Sequence, residues 1–268
     1  MFSAALTFIF FLLIGLEIRE GLNKPKEAIL PALCALAGMI FPALIFIALA
    51  GGVSAWAVAM PTDVALAIGA LSILGKRVRP AVRLFLLTLA VADDFFSLLV
   101  IAIFFHKDLH LVSAIYTLGA ATIGFLLPFR SSLIKVLAPI ATFVIIPIYI
   151  WLNLLRHLDF SQSASKISLA LVGARVIGKV LGISLSVWLL TKWTPLKFPE
   201  SLVLKEVMGI GFLAGMGLTV SIVIAKITLR TATELSQVYI GLFYAALLSG
   251  LLGLLWLRFT APTSQRSD

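Results

Sequence analysis

Long uninterrupted runs of apolar residues constrain the fold of this sequence more than any other feature. A helix needs roughly 20 apolar residues to cross the hydrocarbon core of a bilayer. About nine such runs follow one another, separated by short polar breaks. They cover residues 2–18, 28–51, 56–74, 84–105, 111–129, 133–155, 167–190, 207–227 and 235–257. They do not alternate apolar and polar residues as outer-membrane strands do, so we predict an all-α, polytopic membrane protein.

The composition agrees with a chain whose solvent is lipid. Of 268 residues, 61% are hydrophobic and 12% are charged, and the mean hydropathy is +1.13. No water-soluble globular domain of this length would normally show these values. Because the polar breaks are short enough for one compact bundle, we expect a single transmembrane domain over residues 1–268.

The net charge of +9 has a topological explanation that makes nucleic-acid binding unnecessary. Alternate ends of the nine runs divide the basic residues unevenly, with fourteen on one side and five on the other. Basic residues favour the cytoplasmic side of a membrane protein. The pattern therefore predicts a multi-pass inner-membrane protein, with its N-terminus outside and its C-terminus in the cytoplasm.

Five ionisable residues lie inside the predicted spans rather than at their ends: Asp63, Asp93, Asp94, Arg175 and Lys179. A charge at the centre of a membrane helix costs on the order of 3 kcal/mol on insertion scales, so such residues usually serve a function. Buried ion pairs that fix helix register are the structural alternative. Neighbouring side chains point about 100° apart on a helix, so one cation cannot easily satisfy the Asp93–Asp94 doublet, and a cation pathway is favoured.

Two predicted spans carry residues that weaken helices. Pro61 lies in the third span, and Gly209, Gly211, Gly215 and Gly217 lie in the eighth. Close helix packing would explain the glycines equally well. Weakened spans in the two halves of a chain are, however, typical of transporters with broken helices. Beside Pro61, Thr62 and Asp63 could supply oxygen ligands for a hard cation such as Na⁺.

Five motifs, in this order, resemble the signatures of the bacterial Na⁺/H⁺ antiporter family NhaA. They are residues 10–17 (FFLLIGLE), 61–63 (PTD), 89–94 (LAVADD), 177–184 (IGKVLGIS) and 215–222 (GMGLTVSI). The resemblance extends from about residue 2 to residue 259. It implies an inverted-repeat fold in which two discontinuous helices cross at the midplane of the membrane.

The resemblance also implies a role for each matching residue. Asp93 and Asp94 would bind the ion and carry protons, and Thr62 and Asp63 would lie where the unwound helices cross. Lys179 would pair with Asp93 and, with Asp63, balance the partial charges of the broken helix ends. Glu17 would line the cytoplasmic entrance. The resemblance alone identifies sodium, or lithium, as the ion exchanged for protons in sodium and pH homeostasis.

The chain also departs from the family pattern. The family has about twelve spans, whereas this chain lacks the first and has one span, residues 111–129, where the family has three. Ile134, Lys135 and Ala138 occupy positions that the family associates with its pH response. Arg175 has no charged counterpart, and we hypothesise that it neutralises one of the three aspartates. If the span is misplaced, Arg175 would instead extend to the membrane surface.

A shortened, transport-inactive scaffold of the same family is the main alternative function. An intramembrane aspartyl protease is disfavoured because Asp63 follows Pro-Thr and Asp93 follows Val-Ala, not that family's motifs. A sodium-coupled symporter of organic anions would lack the adjacent aspartates. The sequence thus predicts a transporter, not an enzyme, that needs no cofactor and whose partners are Na⁺ or Li⁺, H⁺, membrane lipid and, as a candidate, a second copy of the chain.

Overall fold

The fold is known here from a computed structural model, which describes residues 2–21, 25–51, 54–105, 115–127, 131–196, 198 and 202–260. Every regular element in this part of the chain is helical, which confirms the all-α class. The α-helices are α1 Phe2–Gly21, α2 Pro25–Ala50, α3 Val64–Ile73, α4 Pro80–Phe104, α5 Ala120–Leu126, α6 Ser131–Ile140, α7 Ile146–Asn153, α8 Lys166–Gly173, α9 Lys179–Trp193, α10 Leu204–Ala214, α11 Thr219–Thr228 and α12 Ala232–Thr260.

Short segments of other helix types connect several of these helices. A 3₁₀-helix, Ser54–Ala59, precedes α3. Wider π-helical turns join α6 to α7 at Ala141–Ile145 and α8 to α9 at Ala174–Gly178, and a third, Ile115–Gly119, leads into α5. Turns of the π type are rare and are frequent at functional sites.

The predicted count of nine spans is not confirmed. Within the described residues, six helices are long and apolar enough to cross a membrane: Ala28–Ala50, Ala55–Ile73, Pro80–Phe104, Val136–His157, Lys166–Trp193 and Ala232–Thr260. The pair α10 and α11, bent by 49°, makes a seventh if it is one span. The helix Tyr116–Leu126 is apolar but shorter.

Two apolar clusters form the core, and the chain passes repeatedly from one to the other. The first includes Phe46, Ile101 and Val223, and the second includes Leu71, Leu86 and Ile210. Three segments change cluster at polar residues: between Met60 and Ala67, between Leu89 and Ile101, and between Ala174 and Ile183. A fourth changes cluster at the glycines between Ala214 and Leu218. The fold therefore brings the polar positions of three segments, and the break of a fourth, to the boundary between the clusters.

Helix α9 reaches this boundary because it packs unusually close to α2. A Cβ atom on Gly182 would lie 2.6 Å from the carbonyl oxygen of Ala37, and one on Gly178 would lie 2.8 Å from the Cα atom of Pro42. Small residues let helix backbones approach in membrane proteins. These glycines place Lys179, which lies between them in sequence, inside the bundle.

Candidate functional site

Two interrupted helices contact each other at their breaks. In one, the chain is extended over residues 61–63, between the 3₁₀-helix Ser54–Ala59 and α3. In the other, residues 215–218 separate α10 from α11. A Cβ atom on Gly217 would lie 2.0 Å from the carbonyl oxygen of Pro61, closer than any side chain permits. Gly217 therefore allows the two breaks to cross.

Gly217→Ala should lower the stability of the fold, because either Pro61 or Gly217 must move to admit the methyl group. We expect a loss of about 3 kcal/mol, measured by thermal unfolding of the purified protein in detergent. Gly173→Ala is the matched control, since its Cβ would lie 3.7 Å from the nearest atom, Leu49 Cδ1, within a helix. Equal melting temperatures for the two variants would contradict the close crossing.

Asp63 binds the N-terminal ends of two helices at once. It is the N-cap of α3 and accepts a hydrogen bond from the backbone N–H of Leu66 at 3.3 Å. Its other oxygen accepts from the hydroxyl of Thr219 at 2.8 Å and from its backbone N–H at 3.3 Å. Since Thr219 begins α11, one carboxylate compensates the positive ends of both interrupted helices.

Arg175 binds the carbonyl ends of the same two breaks. Its guanidinium donates to the carbonyl oxygens of Val58 at 3.2 Å and Pro61 at 2.8 Å. Across the crossing it donates to the carbonyl oxygens of Gly215, at 3.4 Å, and Gly217. The hydroxyl of Ser221 accepts a further bond at 2.6 Å. The five-donor planar guanidinium suits this dispersed set of acceptors.

This arrangement corrects one of the two sequence-based ideas about Arg175. The side chain is fully buried, so it does not extend to the membrane surface. Its hydrogen-bond partners in the described part of the chain are carbonyl and hydroxyl oxygens. The charges of Asp93 and Asp63 also act on Arg175 electrostatically, so its neutralisation of an aspartate stays a hypothesis. The carbonyl ends that were expected to be balanced by Lys179 are held by Arg175 instead, because its several donors can reach both breaks.

Lys179 forms an ion pair with Asp93. Its ammonium lies 3.2 Å and 3.5 Å from the two carboxylate oxygens of Asp93 and donates to the hydroxyl of Thr62 at 2.9 Å. The backbone N–H of Thr62 donates to Asp93 as well. All three residues are at most 1% exposed. Asp93 is thus a buried, charge-paired and hydrogen-bonded carboxylate.

Asp94 differs from its neighbour because one of its oxygens has no partner. The residue is 3% exposed, and its Oδ1 atom is buried without a hydrogen bond among the described residues. Asp94 lines a cavity of about 120 Å³ together with Glu17, Asp63 and Thr142. Glu17 in this lining is partly buried, whereas Asp94 is buried.

Of the three positions associated with pH response, Ala138 lines this cavity. The side chains of Ile134 and Lys135 lie outside the described residues. Their place relative to the cavity stays a prediction.

One buried charged residue escaped the sequence analysis. Glu206 is fully buried in the first turn of α10 and accepts hydrogen bonds from Arg79 at 3.0 Å and 2.5 Å and from the backbone N–H of Val203 at 3.1 Å. Its position in a polar break suggested exposure. An acid three residues after a helix start is the signal that could have indicated a cap.

Two interrupted helices that cross among buried charges, beside a cavity lined by a carboxylate with one unpartnered oxygen, define a membrane ion transporter of the broken-helix type. A family model described as Na⁺/H⁺ antiporter 1 matches residues 1–132 and 128–257. The chain belongs to this family.

Curated relatives carry the same description. The chain is 30% identical to Na⁺/H⁺ antiporter NhaA 1 of Klebsiella pneumoniae over 316 aligned positions, which cover 95% of this chain and 80% of the relative. It is 30% identical to NhaA of Citrobacter koseri and 29% identical to NhaA of Salmonella arizonae, with 95% of this chain and 81% of each relative covered.

The comparisons also bear on the shortened middle of the chain. The alignments span 316 positions although the chain has 268 residues, so the relatives carry additional residues within the matched region. The two segments matched to the family model meet at residues 128–132. This junction lies beside the predicted span 111–129, where the family was expected to have three spans.

Proposed function

We propose that this protein exchanges Na⁺ or Li⁺ for H⁺ across the inner membrane by alternating access, with Asp94 as the carboxylate that binds the ion and the proton in turn. The unpartnered oxygen of Asp94, a residue that lines the cavity, carries this proposal. Membership of the Na⁺/H⁺ antiporter family supports it. Like its relatives, the protein is a transporter and not an enzyme, and it needs no cofactor.

The exchange follows from competition for the same oxygens. A buried carboxylate is stabilised when a proton or a bound cation neutralises its charge. Na⁺ prefers oxygen ligands, so the ion and the proton occupy Asp94 alternately rather than together. If the occupied carboxylate is exposed first to one side of the membrane and then to the other, one species is carried in each direction.

Asp93 is the second ion- and proton-binding carboxylate in this proposal. Its partner Lys179 stabilises the charged form while Asp94 is empty. When a cation binds beside it, repulsion between the cation and Lys179 loosens the pair, so that Asp93 can share the ion or take up a proton. Thr62, Asp63 and Arg175 hold the crossing in place around the two aspartates.

The transport direction depends on the orientation of the chain. The excess of basic residues on one side supports an N-terminus outside and a C-terminus in the cytoplasm. In that orientation Glu17, near the end of α1, faces the cytoplasm and receives Na⁺ from it. Pairing of two copies stays a prediction.

Glu17→Gln should weaken capture of the ion without stopping exchange. A carboxylate at the mouth of a narrow cavity raises the local concentration of cations. We expect the Na⁺ concentration for half-maximal exchange to rise about fivefold, corresponding to an interaction of about 1 kcal/mol, while the maximal rate changes little. Glu234→Gln, on an exposed first turn of α12, is the control. An unchanged half-maximal concentration would exclude Glu17 from the entrance.

The activity is tested directly with purified protein in liposomes that carry an imposed pH gradient. Addition of Na⁺ or Li⁺, but not of choline, should collapse the gradient, and protein-free liposomes should show no response. The inactive scaffold predicts no collapse by a well-folded protein at any pH tested. It is not favoured, because a purely structural bundle would leave the Asp94 oxygen unpaired at a cost of about 1–3 kcal/mol for no gain.

A further inference from the structure

Ser97 presents a second unpartnered oxygen close to that of Asp94. The residue is 1% exposed, and its hydroxyl is buried without a hydrogen bond among the described residues. A serine or threonine within a helix commonly donates to the carbonyl four residues earlier. Thr88 on the same helix does so, to Leu84 at 2.8 Å. Ser97 does not, so its oxygen is available to another ligand.

The helix places Ser97 beside both aspartates. Ser97 follows Asp94 by three residues and Asp93 by four, and such neighbours lie about 5–6 Å apart on one helix face. With 3.6 residues per turn, its direction falls between those of the two aspartates. Ser97 does not line the cavity that contains Asp94. It therefore lies one turn beyond the pair, towards the end of α4 at Phe104.

The three hydroxyls that contact Lys179, Asp63 and Arg175 already have partners, whereas the buried Ser249 hydroxyl beside Gly215 has none among the described residues. The Thr62 hydroxyl accepts from Lys179, the Thr219 hydroxyl donates to Asp63, and the Ser221 hydroxyl accepts from Arg175. Among the described hydroxyls near the aspartate pair, Ser97 thus combines full burial with an open lone pair. Thr62, which the sequence favoured as an ion ligand, is held by Lys179.

We propose that Ser97 is a cation ligand of the exchange site, whose hydroxyl oxygen joins the Asp94 carboxylate around a dehydrated Na⁺ ion. This inference rests on the proposed function. Two unpaired buried groups cost about 1–3 kcal/mol each, and a cation bound between them recovers that cost because each oxygen directs a lone pair at it. In the proposed orientation Ser97 lies on the outward side of Asp94 along α4.

As a ligand, the Ser97 hydroxyl would also affect the preference of the site for Na⁺ over Li⁺. The preference of a site for one hard cation over another depends on the number and spacing of its oxygens. Na⁺ is larger than Li⁺ and needs more oxygens to replace its water. Removing the Ser97 oxygen should therefore weaken Na⁺ binding more than Li⁺ binding.

Ser97→Ala tests the proposal, with Ser168→Ala as its matched control. Ser168 is also a fully buried helical serine whose hydroxyl has no partner, but it lies on α8 and packs against Gly241 of α12. Removing an unpaired buried hydroxyl should be neutral or stabilising for folding at both positions. If Ser97 had only a structural role, both Ser97→Ala and Ser168→Ala would therefore leave the Na⁺ dependence of exchange unchanged.

We expect Ser97→Ala to raise the Na⁺ concentration for half-maximal exchange about tenfold, with a maximal rate within about twofold of the wild type, and Ser168→Ala to change neither. The shift for Li⁺ should be smaller. Ser97→Cys keeps the volume but replaces a hard oxygen by a soft sulfur, and should resemble Ser97→Ala. The cysteine variant also serves if the alanine variant does not fold.

Binding is measured separately by the Na⁺-dependent rise in melting temperature of the detergent-purified protein. A ligand stabilises the fold according to its concentration relative to its Kd, so Ser97→Ala should need about tenfold more Na⁺ for the same rise. Unchanged Na⁺ dependence of both exchange and melting in Ser97→Ala and Ser97→Cys would overturn the proposal. Absence of exchange by the wild type would refute the antiporter function, while the melting comparison would still decide whether Ser97 binds Na⁺.

Discussion

Replacing Asp94 by asparagine should reduce Na⁺-dependent proton movement to the level of protein-free liposomes while the protein remains folded. The amide has nearly the same shape but cannot release a proton or offer a negative charge to Na⁺. Because one Asp94 oxygen has no protein partner, the substitution breaks few contacts. Initial rates of gradient collapse in liposomes, together with the melting temperature in detergent, measure both effects.

Asp93→Asn is the informative comparison, because it should lose both transport and stability. It leaves Lys179 as a buried cation without its counter-ion, and breaking such a pair costs about 3–5 kcal/mol. Asp159→Asn, in an exposed turn, controls for the chemical change alone. Exchange by Asp94→Asn above the protein-free level would show that another group carries the ion.

Arg175→Met should destabilise the fold more than any surface substitution, by about 4 kcal/mol. Methionine fills much of the arginine volume but leaves four carbonyl oxygens and the Ser221 hydroxyl without their donor. The two helix breaks that contain these carbonyl groups would lose the guanidinium that connects them. Thermal or denaturant unfolding in detergent measures the loss.

Arg83→Met provides the control for this substitution, since Arg83 is exposed and donates only to the carbonyl oxygen of Gly75 in the described contacts, at 2.7 Å. Its stability should change by less than about 1 kcal/mol. Arg175→Lys keeps the charge but lacks the fork, so it should fall between the two. A melting temperature of Arg175→Met equal to that of the wild type would show that the carbonyl contacts do not support the crossing.

Much of the site could be predicted because it is built from charged side chains whose positions inside apolar spans are evident in the sequence. Buried charges are rare in membrane spans, so Asp63, Asp93, Asp94, Arg175 and Lys179 stood out in the sequence. The 100° offset between neighbouring helical residues indicated that one cation would not satisfy both aspartates. In the structure, Lys179 pairs with Asp93 and leaves an oxygen of Asp94 open.

The partners of Arg175 could not be predicted, because they are backbone carbonyls. Such groups occur at every residue, and only the exact path of two distant breaks brings those of Val58, Pro61 and Gly217 to one guanidinium. The π-helical turn Ala174–Gly178, which changes the angle between Arg175 and Lys179, leaves no mark in hydropathy. The predicted count of nine spans stays unconfirmed, since six or seven spans are found among the described residues.

Because Asp63 and Arg175 each bind both interrupted helices, insertions and deletions at the two breaks are constrained. Each side chain binds both interruptions, so an added or lost residue in either break would displace groups in the other. We therefore expect the two breaks to evolve together, with a substitution in one break accompanied by a compensating substitution in the other. The chain is shorter than its relatives over the matched region, and the two family-model matches meet at residues 128–132, outside both breaks in the sequence.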